Sequence, residues 1–111
     1  MSLLIRGPEG HLEIETIVDT GFNGFLLVGP EIIAGLGLRL QGTGLGLLAD
    51  GREVSFSFYE AIVFWNGRLR RIPVGVADAA PLLGMALMYG SELALQVVEG
   101  GEVFLREIDL S

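Results

Sequence analysis

The residue best suited to do chemistry in this sequence is Asp19, which follows two apolar residues and precedes Thr20 and Gly21. Other catalytic side chains are scarce, because the chain has no cysteine and no lysine and His11 is its only histidine. This excludes thiolate and Schiff-base catalysis and disfavours a serine triad or a multi-histidine metal site. Carboxylate chemistry remains, in which Asp19 acts as a general acid or base. The sequence calls for no metal and no organic cofactor.

Length and composition indicate a single domain over residues 1–111 that has more apolar surface than it can bury in its own core. A chain of this size buries roughly two-thirds of the surface that its unfolded form exposes. Half of the residues are hydrophobic, so we expect part of the surface to lie against a partner. The net charge of −7 predicts no nucleic-acid partner, because binding to a phosphate backbone needs clustered cations.

The expected location is the cytoplasm. No apolar stretch approaches the roughly 18 residues of a membrane-spanning helix, so we expect no membrane partner. The N-terminal residues do not combine a basic region with an apolar core and a small-residue cleavage site, so nothing indicates export.

Hydrophobic periodicity predicts strands in the first half of the chain. Apolar and polar residues alternate over His11–Val18, which is typical of a half-buried strand. A continuous apolar run predicts a buried strand over Phe25–Val28. The proline and the acid that begin Pro30–Leu36 predict a short helix there. A turn at Asp50-Gly51 then joins two alternating segments into a long hairpin.

The second half continues the pattern. Asn66-Gly67 is a strong hairpin signal between two apolar strands, and the glycines at positions 100 and 101 predict a last hairpin. Pro81–Tyr89 is apolar without alternation and is followed by Gly90, which predicts a tight turn and a short helix. The sum is seven or eight short strands and one or two helices, so the fold class is all-β, a barrel or a sandwich.

An Asp-Thr-Gly sequence after a strand is usually a turn, because aspartate and glycine suit turn backbones. Here three elements occur together. Ile17-Val18-Asp19-Thr20-Gly21 resembles the active-site loop of retropepsin-like aspartic proteases, Pro81-Leu82-Leu83-Gly84-Met85-Ala86-Leu87 resembles their second signature, and the segment from Leu45 to Phe58 is similar in position to their flap hairpin. Their order and spacing also match, from about Leu12 to the C-terminus.

The resemblance implies a retropepsin-like closed barrel that is active as a homodimer and hydrolyses peptide bonds in a peptide or protein substrate. Such chemistry needs two carboxylates a few ångströms apart that share one proton. One loop per chain therefore requires a second chain, whose own Asp19 would complete the pair. By the same resemblance the Thr20 hydroxyl would bind across the two-fold axis, Gly21 would allow close approach of the substrate, and Gly84 would pack behind the loop.

The resemblance also implies where substrate binds. A peptide would lie as an added strand between the catalytic loop and the flap. The expected contacts come from two segments, which are Phe22, Asn23 and Gly24 after the motif, and Ala49, Asp50, Gly51 and Arg52 at the flap tip.

Three departures from the viral members are apparent. Phe22 stands where they have a small residue, which narrows or reshapes the channel. Asn23 and Met85 replace an acid and an arginine together, so no buried charge is left unpaired. The flap tip also lacks the viral glycine cluster. These features resemble prokaryotic cellular members more than viral ones.

Two rival hypotheses remain at this point. The first is a catalytically silent dimerisation or peptide-binding module that keeps the loop for structural reasons. The second is a small-ligand carrier, which predicts a monomeric barrel with an enclosed pocket.

Overall fold

A computed structural model describes residues 1–47, 50–78 and 81–109. It is mostly β, with 57% of residues in strands and 11% in helices, and its main sheet curls into a half-barrel. The prediction of a β-rich chain with short helices is therefore confirmed. The described helices are α1 (Pro30–Leu36) and α2 (Met85–Met88), and neither is long and apolar enough to cross a membrane. The strands are β1 (Ser2–Gly7), β2 (Gly10–Glu15), β3 (Ile17–Val18), β4 (Leu26–Val28), β5 (Arg39–Leu47), β6 (Glu53–Trp65), β7 (Arg68–Val76), β8 (Leu82–Leu83), β9 (Ser91–Leu95) and β10 (Val103–Glu107).

The described residues form ten strands, more than the seven or eight that were predicted. One added break falls at Thr16, which ends β2 and separates it from β3. The Thr16 side chain is buried and its hydroxyl donates to the Met1 carbonyl at 2.6 Å, while its amide donates to the same oxygen at 2.8 Å. The single alternating strand predicted over His11–Val18 is therefore two strands: Thr16 still pairs with Met1 beside β1, whereas Ile17 donates to the Pro81 carbonyl at 2.8 Å and β3 pairs with β8.

The main sheet has the strand order β2-β1-β6-β7-β4-β8-β3, and β5 pairs with β6 beside this path. Antiparallel hairpins dominate, as turn signals predicted, but β3 pairs with β8 in parallel and β4 pairs with β7 in parallel. Parallel pairs need long connections, so local turn signals do not indicate them. A second sheet contains only β9 and β10.

Local signals explain two elements closely. α1 begins at Pro30, whose missing amide costs nothing at a helix start, and it ends at Gly37, which has the left-handed backbone (φ 61°) common at helix ends. The turn between β6 and β7 uses Asn66 (φ 50°) and Gly67 (φ 77°), which is the backbone of a two-residue hairpin.

The core lies inside the curl of the main sheet. Its fully buried side chains come from distant parts of the chain and include Ile5, Leu26, Val63, Val74, Leu83 and Leu87. Leu83 and Leu87 belong to β8 and α2, so the segment behind the Asp-Thr-Gly loop is anchored in the core. Each buried aliphatic side chain contributes about 1.5–3 kcal/mol relative to an exposed one, which makes this anchoring strong.

Candidate active site

The Asp-Thr-Gly loop joins β3 to β4, and β8 lies between these two strands. β8 pairs in parallel with β3 and antiparallel with β4, at Leu82 and Leu83. The loop must therefore arch over the end of β8. Asp19 stands at the start of this arch, where its amide donates to the Leu83 carbonyl at 3.0 Å. A strand held on both sides thus fixes where the Asp19 backbone lies.

The Asp19 side chain is partly exposed. One carboxylate oxygen accepts the Gly21 amide at 2.9 Å, and the Asp19 carbonyl accepts the Phe22 amide at 3.2 Å. Within residues 1–47, 50–78 and 81–109 no arginine forms an ion pair with this carboxylate, and its second oxygen accepts no hydrogen bond. Such a carboxylate is oriented by the turn and remains available to a further group.

Thr20 and Gly21 occupy the outer side of the loop, and both are exposed. In the described part of the chain the Thr20 hydroxyl makes no hydrogen bond. Two large apolar side chains nearby are also exposed, Ile17 at the start of β3 and Met85 at the start of α2. The loop therefore presents an unused hydroxyl beside uncovered apolar surface.

Gly84 is buried directly behind the loop. The backbones meet closely: Gly84 donates to the Phe25 carbonyl at 3.0 Å, and Met85 donates to the Phe22 carbonyl at 2.8 Å. A Cβ at position 84 would fall on the Gly24 carbonyl oxygen and lie 2.6 Å from the Phe22 ring. The expected packing of Gly84 against the loop is present, and only a glycine fits there.

The three residues after the motif have different environments. Phe22 is half-buried and covers Gly24, where an added Cβ would lie 2.6 Å from the ring. The Gly24 carbonyl accepts the Ala86 amide at 3.1 Å, which ties the loop to α2. Asn23 is exposed. Phe22 and Gly24 therefore shape the surface beside Asp19, whereas the Asn23 side chain makes no hydrogen bond to any described residue.

Phe22 and Gly24 form one wall of an apolar groove of about 260 Å³. The opposite wall comes from β6 and β7, through Phe56, Ser57, Phe58, Pro73 and Gly75. Phe56 and Phe58 pack edge to face, with ring centroids 4.9 Å apart. The groove thus lies between the Asp-Thr-Gly loop and β6, the strand of the hairpin that the resemblance names as a flap. A peptide would lie there if the resemblance holds.

The hairpin that the resemblance names as a flap consists of β5 and β6, which pair from Arg39 to Leu47. At its tip Gly51 has φ 85°, and the Arg52 side chain bonds the Asp50 carboxylate at 2.6 Å. Asp50, Gly51 and Arg52 are exposed and none lines the groove. Ala49, the fourth residue expected to bind substrate here, lies outside the described residues.

The walls of the groove were not all indicated by the sequence. The sequence carried no site prediction for Phe56, Phe58, Pro73 or Gly75. These residues lie two positions apart on β6 and on β7, and residues two apart share one face of a strand. The sequence therefore indicates which of them lie on the same face. Which face meets the Asp-Thr-Gly loop depends on the parallel pairing of β4 with β7, which no local pattern predicts.

A larger hollow of about 370 Å³ lies elsewhere, between Trp65, Arg68, Arg70, Tyr89 and Glu107. It shares no residue with the loop from Asp19 to Gly24, so its size does not make it the better candidate. Among the described residues no three histidine or carboxylate side chains lie close enough together to hold a metal ion.

No family model, curated protein or solved structure matches this chain.

Proposed function

We propose that this chain is a retropepsin-like aspartic endopeptidase, in which two copies each contribute Asp19 to one active site. The observation that carries the proposal is an accessible, oriented carboxylate in a loop that also forms one wall of an apolar groove. A turn alone explains the Asp19 to Gly21 hydrogen bond. It does not explain why a glycine-backed loop, a groove and a flap-like hairpin occur together.

The proposed enzyme is a homodimer because each chain contains one Asp-Thr-Gly loop, whereas the reaction needs two aspartates. A carboxylate alone is a poor catalyst for amide hydrolysis, whereas two that share a proton supply an acid and a base together. The unused Thr20 hydroxyl and the exposed Ile17 and Met85 side chains suit a surface that a second copy covers. In this proposal the half-barrel is one subunit of the retropepsin-like fold.

The reaction is the addition of one water molecule across a peptide bond. The ionised Asp19 removes a proton from water while the water oxygen attacks the carbonyl carbon. The protonated Asp19 of the second copy donates its proton to the carbonyl oxygen, which gives a neutral tetrahedral diol. When the C–N bond breaks, the nitrogen takes a proton from one carboxyl group, and the diol loses one to the other. The products are a carboxylic acid and an amine.

The substrate in this proposal is an extended polypeptide. A strand laid across the loop would make backbone hydrogen bonds and place alternate side chains on one side. The groove of about 260 Å³ would receive an apolar side chain, since Phe22, Phe56 and Phe58 line it. The flap hairpin of β5 and β6 would cover the peptide from the opposite side.

Replacing Thr20 tests the shared loop. Thr20→Val keeps the volume and removes the hydroxyl, which has no partner within the described part of the subunit. If the hydroxyl bonds across the axis, two symmetric bonds are lost, each worth about 0.5–1.5 kcal/mol. We expect a rise of roughly 5- to 150-fold in the dimer dissociation constant measured by sedimentation. Thr43→Val, at another exposed threonine, is the control; equal constants for both variants would count against the role.

Shortening Phe22 tests the groove. Phe22→Ala removes a wall residue and widens the space beside Asp19. We expect the preferred substrate side chain to become larger, with the ratio of kcat/KM for large over small side chains rising by at least about tenfold. A peptide library that differs at single positions measures this ratio. An unchanged preference, with cleavage retained, would show that the groove does not receive the substrate.

One observation favours the rival hypothesis of a silent module. The Asp19 carboxylate stabilises its own turn through the Gly21 amide, so it has a structural role without any chemistry. Under this hypothesis Asp19→Asn, which keeps an oxygen acceptor, would leave every measurable property unchanged. Comparing wild type and Asp19→Asn on a peptide library, from acid to neutral pH, separates the two functions.

A further inference from the structure

The hollow of about 370 Å³ lies between the tip of the β6–β7 hairpin on one side and the segment after α2 and the end of β10 on the other. The hairpin contributes Trp65, Arg68 and Arg70, and the other side contributes Tyr89 and Glu107. Small-molecule sites have volumes of about 300–1,000 Å³, so this hollow is large enough for a ligand. It shares no residue with the groove beside the Asp-Thr-Gly loop, so a ligand here would bind apart from the proposed active site.

The two arginines stand on the core face of the main sheet. Arg70 lies directly opposite Val63 and Arg68 lies opposite Trp65, and residues directly opposite in an antiparallel pair share a face. Val63 is fully buried in the core. An antiparallel sheet normally turns apolar side chains toward its core, so two cations on this face are unusual. The core face of the hairpin thus changes from apolar to cationic where it leaves the core and meets the hollow.

Both guanidinium groups are held in place and keep donors for a further acceptor. Arg68 Nη2 donates to Glu107 Oε1 at 3.2 Å, a bond between the two sides of the hollow. Arg70 lies over the Phe25 ring, with its Cζ atom 5.4 Å from the ring centroid, which is a cation–π contact. Within residues 1–47, 50–78 and 81–108 no carboxylate forms an ion pair with Arg70. Because a guanidinium carries several N–H donors, both arginines can bind another oxyanion.

Two aromatic side chains line the same hollow. Trp65 is half-buried at the end of β6, and Tyr89 is 80% exposed directly after α2. Tyr89 buries too little surface to contribute much to the core. Aromatic rings offer flat apolar surfaces on which a planar group can stack. The hollow therefore combines positive charge with flat apolar walls.

The charge of the whole chain makes this combination selective. The net charge is −7, so the protein as a whole repels anions and would bind one only where arginines converge. The residues that line the hollow include two arginines and one glutamate. Inward-pointing charges can also prevent an open strand edge from pairing, and β7 pairs only with β6 before Val74. That role needs the charges alone and does not explain the aromatic walls.

We propose that this hollow binds a small organic anion in which a carboxylate or phosphate group is attached to a flat aromatic ring. Arg70 donates two parallel N–H bonds to the anionic oxygens, the geometry that guanidinium groups favour with such groups. Arg68 is shared between the ligand and Glu107. The ring of the ligand lies against Trp65 and Tyr89. The inference goes beyond the proposed peptidase and does not depend on it.

Fluorescence of Trp65 tests binding directly, because this is the only tryptophan of the chain. Phenyl phosphate and phenylacetate are the two probes, and they separate a phosphate ligand from a carboxylate ligand. We expect a saturable change with a Kd of about 1 mM or less for at least one of them. Inorganic phosphate and benzyl alcohol each carry half of the ligand and should bind at least about tenfold more weakly. A Kd above about 1 mM for both probes, or equal binding of inorganic phosphate, would overturn the proposal.

Replacing one arginine identifies the anion-binding group. Arg70→Gln removes the charge and keeps a polar side chain, and we expect the Kd of the tighter probe to rise by at least about tenfold, the effect of losing a charge-assisted hydrogen bond. Arg71→Gln is the matched control, because the neighbouring Arg71 pairs with Glu60 at 3.3 Å and lies outside the hollow. Its Kd should stay within about twofold of wild type. Equal effects of the two substitutions would mean that only overall charge matters and would contradict the site.

Replacing the glutamate should have the opposite sign. Glu107→Gln removes a competing carboxylate and frees Arg68, so we expect the Kd to fall by about threefold or more. Glu92→Gln, which breaks the ion pair with Arg106 elsewhere on the β9–β10 hairpin, is the control and should leave the Kd unchanged. Circular dichroism checks that each variant folds. A Kd for Glu107→Gln equal to or above that of wild type would overturn the assignment of this hollow as the anion site.

Discussion

Asp19→Asn is expected to lower kcat/KM for peptide cleavage by at least about 10³-fold, because it removes both the acid and the base from the proposed pair. The replacement is nearly isosteric, and its amide oxygen still accepts the Gly21 amide that orients the loop. The melting temperature should therefore stay close to that of wild type. Progress curves on a cleaved library peptide measure the effect, and Asp78→Asn, at an exposed aspartate, controls for the loss of one negative charge.

Two copies joined by a flexible linker sharpen this test. A linked dimer that carries Asp19→Asn in one half retains one carboxylate per active site. We expect it to be as inactive as the doubly substituted dimer, because one carboxylate cannot supply the acid and the base together. Half of the wild-type rate would contradict a shared site, since it would mean that each Asp19 acts alone.

Gly84→Ala has the second largest expected effect. Gly84 has φ −104°, which alanine adopts without strain, so only the surrounding atoms decide the outcome. The added methyl group would collide with the Gly24 carbonyl and the Phe22 ring, and the loop would have to move. We expect a loss of about 1–3 kcal/mol in the free energy of unfolding. That corresponds to a drop of roughly 5–20 °C in melting temperature. Cleavage should fall as well, because Asp19 belongs to the displaced loop.

Gly35→Ala is the matched control for that experiment. Gly35 lies inside α1, and a Cβ built there meets no atom within 4 Å. Alanine is the better helix former, so this change should stabilise the fold by about 0.4–1 kcal/mol. Opposite signs for the two substitutions would assign the effect to packing behind the Asp-Thr-Gly loop. A melting temperature for Gly84→Ala equal to that of wild type would show that the loop does not need the glycine.

Local elements of the fold were predictable because their causes are local. Proline and the residues around it define the start of α1, and Asn66-Gly67 suits only a tight turn. The break at Thr16 was not predictable, because it depends on a change of pairing partner, from β1 before Thr16 to β8 after it. The insertion of β8 between β3 and β4 has the same character, since each strand contributes only two or three residues and long connections separate them.

The sequence predicted the Asp-Thr-Gly motif of the candidate site, but it did not predict which residues of β6 and β7 line the groove beside it. Asp19 and Gly84 were expected to meet, and the structure brings Gly84 directly behind the loop. The residues that shape the groove across from Phe22 lie 34 or more positions along the chain, on strands with no catalytic pattern. The exposed flap tip, expected to contact substrate, stands apart from the groove in a single subunit. In the proposed dimer the contacts of this tip would come from a peptide and a second copy, so no sequence pattern within one chain indicates them.

A crystal structure of the dimer would show whether the two Asp19 carboxylates form one site. We expect oxygens about 3 Å apart across a two-fold axis, close enough to share a proton. We also expect the apolar grooves of the two subunits to open on either side of that pair. Asp19 side chains more than about 10 Å apart, too far to share a proton, would contradict the proposed active site.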